Sequence, residues 1–202
     1  MAACYEFRHE GSLAEVASMP ITEADLAHVE DDRFRRLAAY WLAARDGALL
    51  PTVEAIDPSR FANLLEQVWL CAVEDNPRAF RYRIAGDHIR AAYSGPLVGR
   101  TLAEITEAAV IDRVMAYFNR VADLPAIAHI VGRIYTEDTR PARGERLMLP
   151  FADSQTGRVT RILGATVHSW ESRGIGPGEV PIRQVRTFTP VDGSPAWCES
   201  WL

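Results

Sequence analysis

The chain has 202 residues, 48% hydrophobic and 24% charged, a balance typical of a globular domain long enough to bury a core without disulfide or metal staples. Its net charge of −5 has the wrong sign for a general nucleic-acid binder, and all 22 basic side chains are arginine, a planar fork suited to carboxylates or phosphates. Three widely spaced cysteines, Cys4, Cys71 and Cys198, form no CxxC pair, which argues against a zinc site or a disulfide framework.

Residues 1–21 show no regular period and read as a flexible N-terminal arm. Polar and acidic residues occupy the place of a signal-peptide hydrophobic segment, and no apolar run approaches the roughly 20 residues of a membrane span. The expectation is a cytoplasmic protein with no membrane contact. Residues 22–66 read as a helical cap. Thr22 and Asp25 resemble a capping box, and Phe34, Leu37, Ala38 and Trp41 recur at helical spacing before Gly47. That aromatic face needs a partner surface, either this chain's own sheet or a dimer seam.

The core is expected over residues 67–170. Val68 to Val73 is apolar at consecutive positions, as a strand covered on both faces would be. Asp75-Asn76-Pro77 is a turn, and Phe80, Tyr82 and Ile84 alternate with Arg81 and Arg83 in a second strand at or near an edge. Short helices follow near Asp87 and Thr101, the latter forming a capping box with Glu104, and a longer helix runs from Val110 to about Asp123. Three further strands are expected over Ala126–Glu137, Glu145–Asp153 and Arg158–Trp170, the first pair joined by a loop containing Thr139-Arg140-Pro141 and Gly144. Residues 171–202 read as an irregular C-terminal tail. The resulting fold class is α+β: a five-stranded antiparallel sheet with short helices on one face and the N-terminal amphipathic helix on the other.

This order, with Phe80–Gly86 leading into Leu97-Val-Gly-Arg-Thr-Leu-Ala-Glu-Ile105, resembles the PAS sensory domain. Tyr40-Trp41, Leu50-Pro51, Ile56-Asp57-Pro58, Leu64-Leu65, Leu149-Pro150 and Arg161–Ala165 resemble short stand-alone bacterial PAS-like proteins. The resemblance implies a small-molecule-sensing or protein-interaction module in bacterial signalling, a homodimer whose output passes through a partner signalling protein. It implies no enzymatic activity. The alternatives are a ligand-free scaffold for dimerisation or docking and, disfavoured for want of an acid–base pair, a small enzyme using the same cavity.

The resemblance also implies which residues wall the cavity: Tyr82, Ile84, Tyr93, His129, Arg133 and Leu149, with Arg133 holding the anionic end of a small organic ligand. Arg133 shares an alternating strand face with His129, Val131 and Tyr135, but both faces of that strand carry apolar residues, so alternation leaves open which points inward. No cofactor is identified. His88 is a possible haem ligand, whereas the Asn-Cys-Arg-Phe motif of flavin-binding relatives is absent. None of the five histidines stands at metal-site spacing. Arg81 and Arg83 are expected to be solvated or paired with acids. Phe34, Leu37 and Trp41 form the cap or dimer face.

Overall fold

The computed structural model describes residues 20–137, 140–171 and 183–201. Residues 1–19 of the expected arm at 1–21, and residues 172–182 and 202 of the expected tail, lie outside the described residues.

After a short 3₁₀ turn at Glu23–Leu26, helix α1 spans Asp32–Ala44. The carboxylate of Asp25 accepts from both the backbone N–H and the hydroxyl of Thr22, at 2.8 and 2.9 Å. Asp31 caps α1 by accepting from Arg33 N–H at 2.8 Å. The chain leaves the helix through Asp46 and Gly47, with φ of 46° and 81°. Two 3₁₀ segments, Val53–Ala55 and Pro58–Leu64, lead into strand β1 (Val68–Asp75) and its hairpin partner β2 (Arg78–Ala85). Short helices α2 (Asp87–Arg90) and α3 (Leu102–Ile105) and the longer α4 (Ile111–Asp123) come next, then strands β3 (Ala126–Glu137), β4 (Arg140–Ala152), β5 (Val159–Trp170), β6 (Gln184–Pro190) and β7 (Trp197–Trp201).

All strands join one antiparallel sheet in the order β2-β1-β5-β4-β3-β6-β7. β1 and β5 are neighbours and β2 is an edge, as the apolar patterning implies. The sheet has seven strands instead of the expected five. Gln184–Pro190 and Trp197–Trp201, expected to belong to an irregular tail, add to the β3 edge as β6 and β7. The glycines and prolines between 174 and 181 suggest irregular chain, but that composition ends before β6 begins. In β6 the β-branched residues Val185, Thr187 and Thr189 alternate with Arg186 and Phe188, a strand pattern. β4 also begins earlier than expected, at Arg140. Gly144 is no turn residue: a Cβ there would stand 2.0 Å from the Val167 carbonyl oxygen, so glycine permits close backbone approach inside the ladder.

Each face of the sheet is covered. On the cap face, Phe34, Leu37 and Trp41 of α1 pack with Phe61 and Leu64 against Ile127, Leu147, Leu149, Phe151, Leu163 and Ala165. On the helical face, Tyr117, Phe118 and Val121 of α4 pack with Ile89, Leu97 and Leu102 against Trp69, Phe80, Tyr82, Ile130, Met148 and Phe188. The double-sided apolarity of β1 is thereby satisfied: Val68 faces the cap and Trp69 the helices.

Candidate functional site

Strand β4 alternates Glu145, Leu147 and Leu149 toward the cap with Arg146 and Met148 toward the helices. Arg146 therefore enters the helical-face core, where it is only 6% exposed. Its Nε donates to Thr166 Oγ1 and its Nη1 to Tyr117 Oη, each at 3.0 Å. The rings of Tyr135 and Trp69 lie 5.2 and 5.9 Å from the guanidinium carbon. Tyr82 and Tyr93 complete a surround of four phenols. No carboxylate among the described residues pairs with Arg146, and its Nη2 has no hydrogen-bond partner among them. A guanidinium stays protonated at any ordinary pH. A full positive charge thus sits in an aromatic interior with no counter-ion among the described residues, an arrangement that desolvation strongly disfavours unless something compensates it.

A second arginine reinforces the charge. Cross-strand register puts Thr166, Arg146, Ile130 and Arg186 in one row over β5, β4, β3 and β6. Arg186 is 5% exposed, donates from Nε to Gln184 Oε1 at 2.7 Å, and stacks over the Tyr117 ring with its guanidinium carbon 4.6 Å from the centroid. Burial, followed by the nearby guanidinium charges of Arg113, Arg120 and Arg146, outweighs the favourable Tyr117 interaction and holds its pKa below the usual arginine value. The carboxylate of Glu199 on β7 is paired with Arg120.

Tyr82, Tyr93 and His168, around this row, are held in their neutral forms. Burial pushes the phenols of Tyr82 and Tyr93 well up, so both remain O–H donors. His168, facing Tyr135 at 5.0 Å between ring centroids, is pulled down to about 4 by burial and by the proximity of His88 and Arg146, and its buried Nδ1 has no hydrogen-bond partner among the described residues. The His88 and His168 rings stand 4.3 Å apart. Beside the cluster, a surface pocket of about 310 Å³ is lined by Tyr93, Pro96, Arg100, Ile105 and Thr106 among others. It does not contain Arg146 itself. Tyr93 is the shared wall, because its ring meets Tyr135 edge-on at 5.6 Å.

The residues expected to wall a cavity divide between two faces. Tyr82 and Tyr93 belong to the arginine–tyrosine cluster. Ile84 is 48% exposed on edge strand β2. His129 and Leu149 are buried on the cap face, where His129 Nε2 lies 2.7 Å from Glu145 Oε1 and its ring 5.2 Å from that of His28. Arg133 stands opposite Arg143 in the β3–β4 register, on the cap-side alternation with His129 and Glu145, so it does not reach the cluster. A register shift between Arg133 and Tyr135 accounts for the difference: one extra residue, Ile134, brings Tyr135 to the helical face while Arg133 stays on the other. The arginines buried on the helical face are Arg146 and Arg186.

His88, expected as a possible haem ligand, accepts at Nε2 from the backbone N–H of His168 at 3.3 Å. Arg81 directs Nε and Nη2 to both oxygens of Glu74 at 2.8 and 2.9 Å, and Arg83 also reaches Glu74, so this pair is ordinary edge charge pairing. Phe34, Leu37 and Trp41 are buried within the single chain as the cap face, and Trp41 Nε1 donates to the Pro150 carbonyl at 2.8 Å. Among the described residues no cluster of histidine, cysteine and acidic side chains could hold a metal, and no helix is long and apolar enough to cross a membrane.

A comparison with curated proteins finds no match, and a comparison with solved structures finds none. A family model described as PAS domain matches residues 29–167. That span runs from just before the cap helix into the last part of β5 and contains Arg146 with Trp69, Tyr82, Tyr93, Tyr117, Tyr135 and Thr166. The chain belongs to the PAS domain family.

Proposed function

We propose that this PAS domain is a sensory module that binds a small organic molecule between its sheet and its helical face and signals through a partner protein. One observation carries the reading: Arg146, buried among four phenols with no carboxylate partner among the described residues. A folded protein holds an uncompensated interior cation at a large desolvation penalty. A ligand that supplies the missing charge recovers that penalty on binding, which makes occupancy a strong bias on the packing of sheet against helices. The neighbouring groups support recognition over conversion. The phenols of Tyr82 and Tyr93, kept protonated, and the imidazole of His168, kept neutral, hold their charge over the physiological range instead of exchanging protons with a substrate. The partner class includes a second copy of this chain. The thiols of Cys71 and Cys198, free among the described residues, suit a reducing cytoplasm.

A ligand-free scaffold is the second reading, favoured by the ring packing that fills much of the helical face. Trp69 meets Tyr82 at 5.9 Å and Phe118 at 5.6 Å, and Phe80 meets Phe118 at 5.0 Å. Native mass spectrometry of freshly purified protein separates the two. A co-purifying small mass that leaves on denaturation is the expected result. Bare polypeptide, with no thermal shift from any member of a metabolite panel, sinks the sensory reading.

A further inference from the structure

We infer that the ligand of the helical face is a small organic carboxylate, held end-on by the outer nitrogens of Arg146. The inference rests on the sensory reading above and adds the chemistry of the ligand. A guanidinium carries five N–H groups. Thr166 takes the one on Nε and Tyr117 one of the two on Nη1, leaving three: the second on Nη1 and both on Nη2. Thr166 on Nε spends the side-on fork, so a carboxylate here would be met by the outer nitrogens Nη1 and Nη2, whose spacing matches its two oxygens. Arg146 is itself more than nine-tenths buried, so these donors do not simply face bulk water.

The walls decide between carboxylate and phosphate. Tyr135 and Trp69 hold aromatic rings near the guanidinium, 5.2 and 5.9 Å from its central carbon. Aromatic faces are electronegative. A planar carboxylate can lie in the guanidinium plane with both oxygens on the fork. A tetrahedral phosphate must direct further charged oxygens out of that plane toward the rings. Arg186, in the same sheet row and stacked on Tyr117, adds positive potential without replacing the fork. The surround of Trp69, Tyr82, Tyr93, Tyr117 and Tyr135 suits an apolar body behind the acid group. The neighbouring surface pocket shares Tyr93 with the cluster, so a ligand entering from it passes that ring.

The test uses the full chain and titration calorimetry at constant ionic strength with benzoate and pentanoate, each against its primary amide and against inorganic phosphate. The acids are expected to bind about tenfold or more tightly than the amides, the effect of one charge-assisted hydrogen-bonded contact. Phosphate is expected not to compete. Arg146→Met should abolish the preference for acid, and Arg133→Met, on the other face, should keep it. Equal binding of acid and amide, or competition by phosphate as strong as by benzoate, overturns the carboxylate inference and leaves the sensory reading standing. Absence of binding by every probe, together with native mass spectra of bare polypeptide, overturns both. The wild-type comparison decides even where Arg146→Met fails to fold.

Discussion

Arg146 and Trp69 converge on one hydroxyl, with Arg146 Nε and Trp69 Nε1 each donating to Thr166 Oγ1 at 3.0 Å. The indole lies directly against Gly164, where a Cβ would fall 2.1 Å from Trp69 Cζ2. Only a residue without a side chain lets the ring lie across β5 and bring its N–H to Thr166. The hydroxyl, fully buried, fixes both the largest ring of the helical-face core and the orientation of its buried cation.

Thr166→Val keeps the shape of that side chain and removes both acceptor sites. Two buried donors, one of them charged, are then left short of a partner, at about 1–3 kcal/mol each. The expected loss is about 2–5 kcal/mol of unfolding free energy, read from urea titrations with an unchanged m-value. A loss under about 1 kcal/mol would mean that water replaces the hydroxyl and that the guanidinium is less firmly oriented than its contacts imply.

Arg146→Met tests the unbalanced charge itself. Methionine fills much of the same volume and removes a buried cation whose ion pairing is unmet among the described residues. Replacement of buried ionic groups by apolar ones is often neutral or stabilising by about 1–4 kcal/mol. Ligand-free Arg146→Met is therefore expected to melt no lower than wild type, whereas Arg146→Ala, which leaves a cavity, should melt lower. A lower melting temperature for the methionine variant in protein stripped of ligand would show that the tyrosine hydroxyls already compensate the charge.

Much of the fold is legible in the sequence because burial writes itself into period. Phe34, Leu37 and Trp41 at helical spacing mark the cap, and the consecutive apolar positions of Val68–Val73 require cover on both faces. The site is harder to read for the same reason. With both sheet faces apolar, alternation cannot say which side of β3 faces the helices, and the irregularity at Ile134 moves Tyr135 to the opposite face from Arg133. Arg146 does carry a signal. It directly precedes Leu147-Met-Leu-Pro-Phe151, a run apolar at consecutive positions like β1, so a charge there has no solvated face to turn to. The β6 strand is short, and its alternation of Val185, Thr187 and Thr189 with Arg186 and Phe188 follows directly on the Gly- and Pro-rich stretch that hides it until β3 is seen to need a partner.

Trp41→Ala should destabilise the protein by about 3–5 kcal/mol, because the indole is 0% exposed under the cap and its loss also leaves the Pro150 carbonyl short of its donor. Thermal melts with size-exclusion chromatography check this. A variant that stays fully stable but elutes at a smaller size would instead make the α1 face an interface between copies.

Acid should weaken the fold in two separable steps. His28 on the cap side and His168 on the helical side are each pulled down to about 4, chiefly by burial, His28 also by His129 and His168 also by His88 and Arg146. An unfolded histidine titrates near 6.5. Between about pH 6.5 and 4 the unfolded chain therefore binds protons at these positions that the folded chain refuses, and stability falls as pH falls through that window. The carboxylates held low by hydrogen bonds, such as Asp31 with Arg33 and Asp25 with Thr22, contribute stability that is lost only below about pH 4. Urea midpoints measured from pH 7.5 to 3.5 should decline first across the histidine window and then again below it. The double variant His28→Gln, His168→Gln should flatten the first decline and keep the second. If the double variant retains the full decline between pH 6.5 and 4, the protons are taken up elsewhere, and the buried imidazoles are not what makes the fold acid-sensitive there.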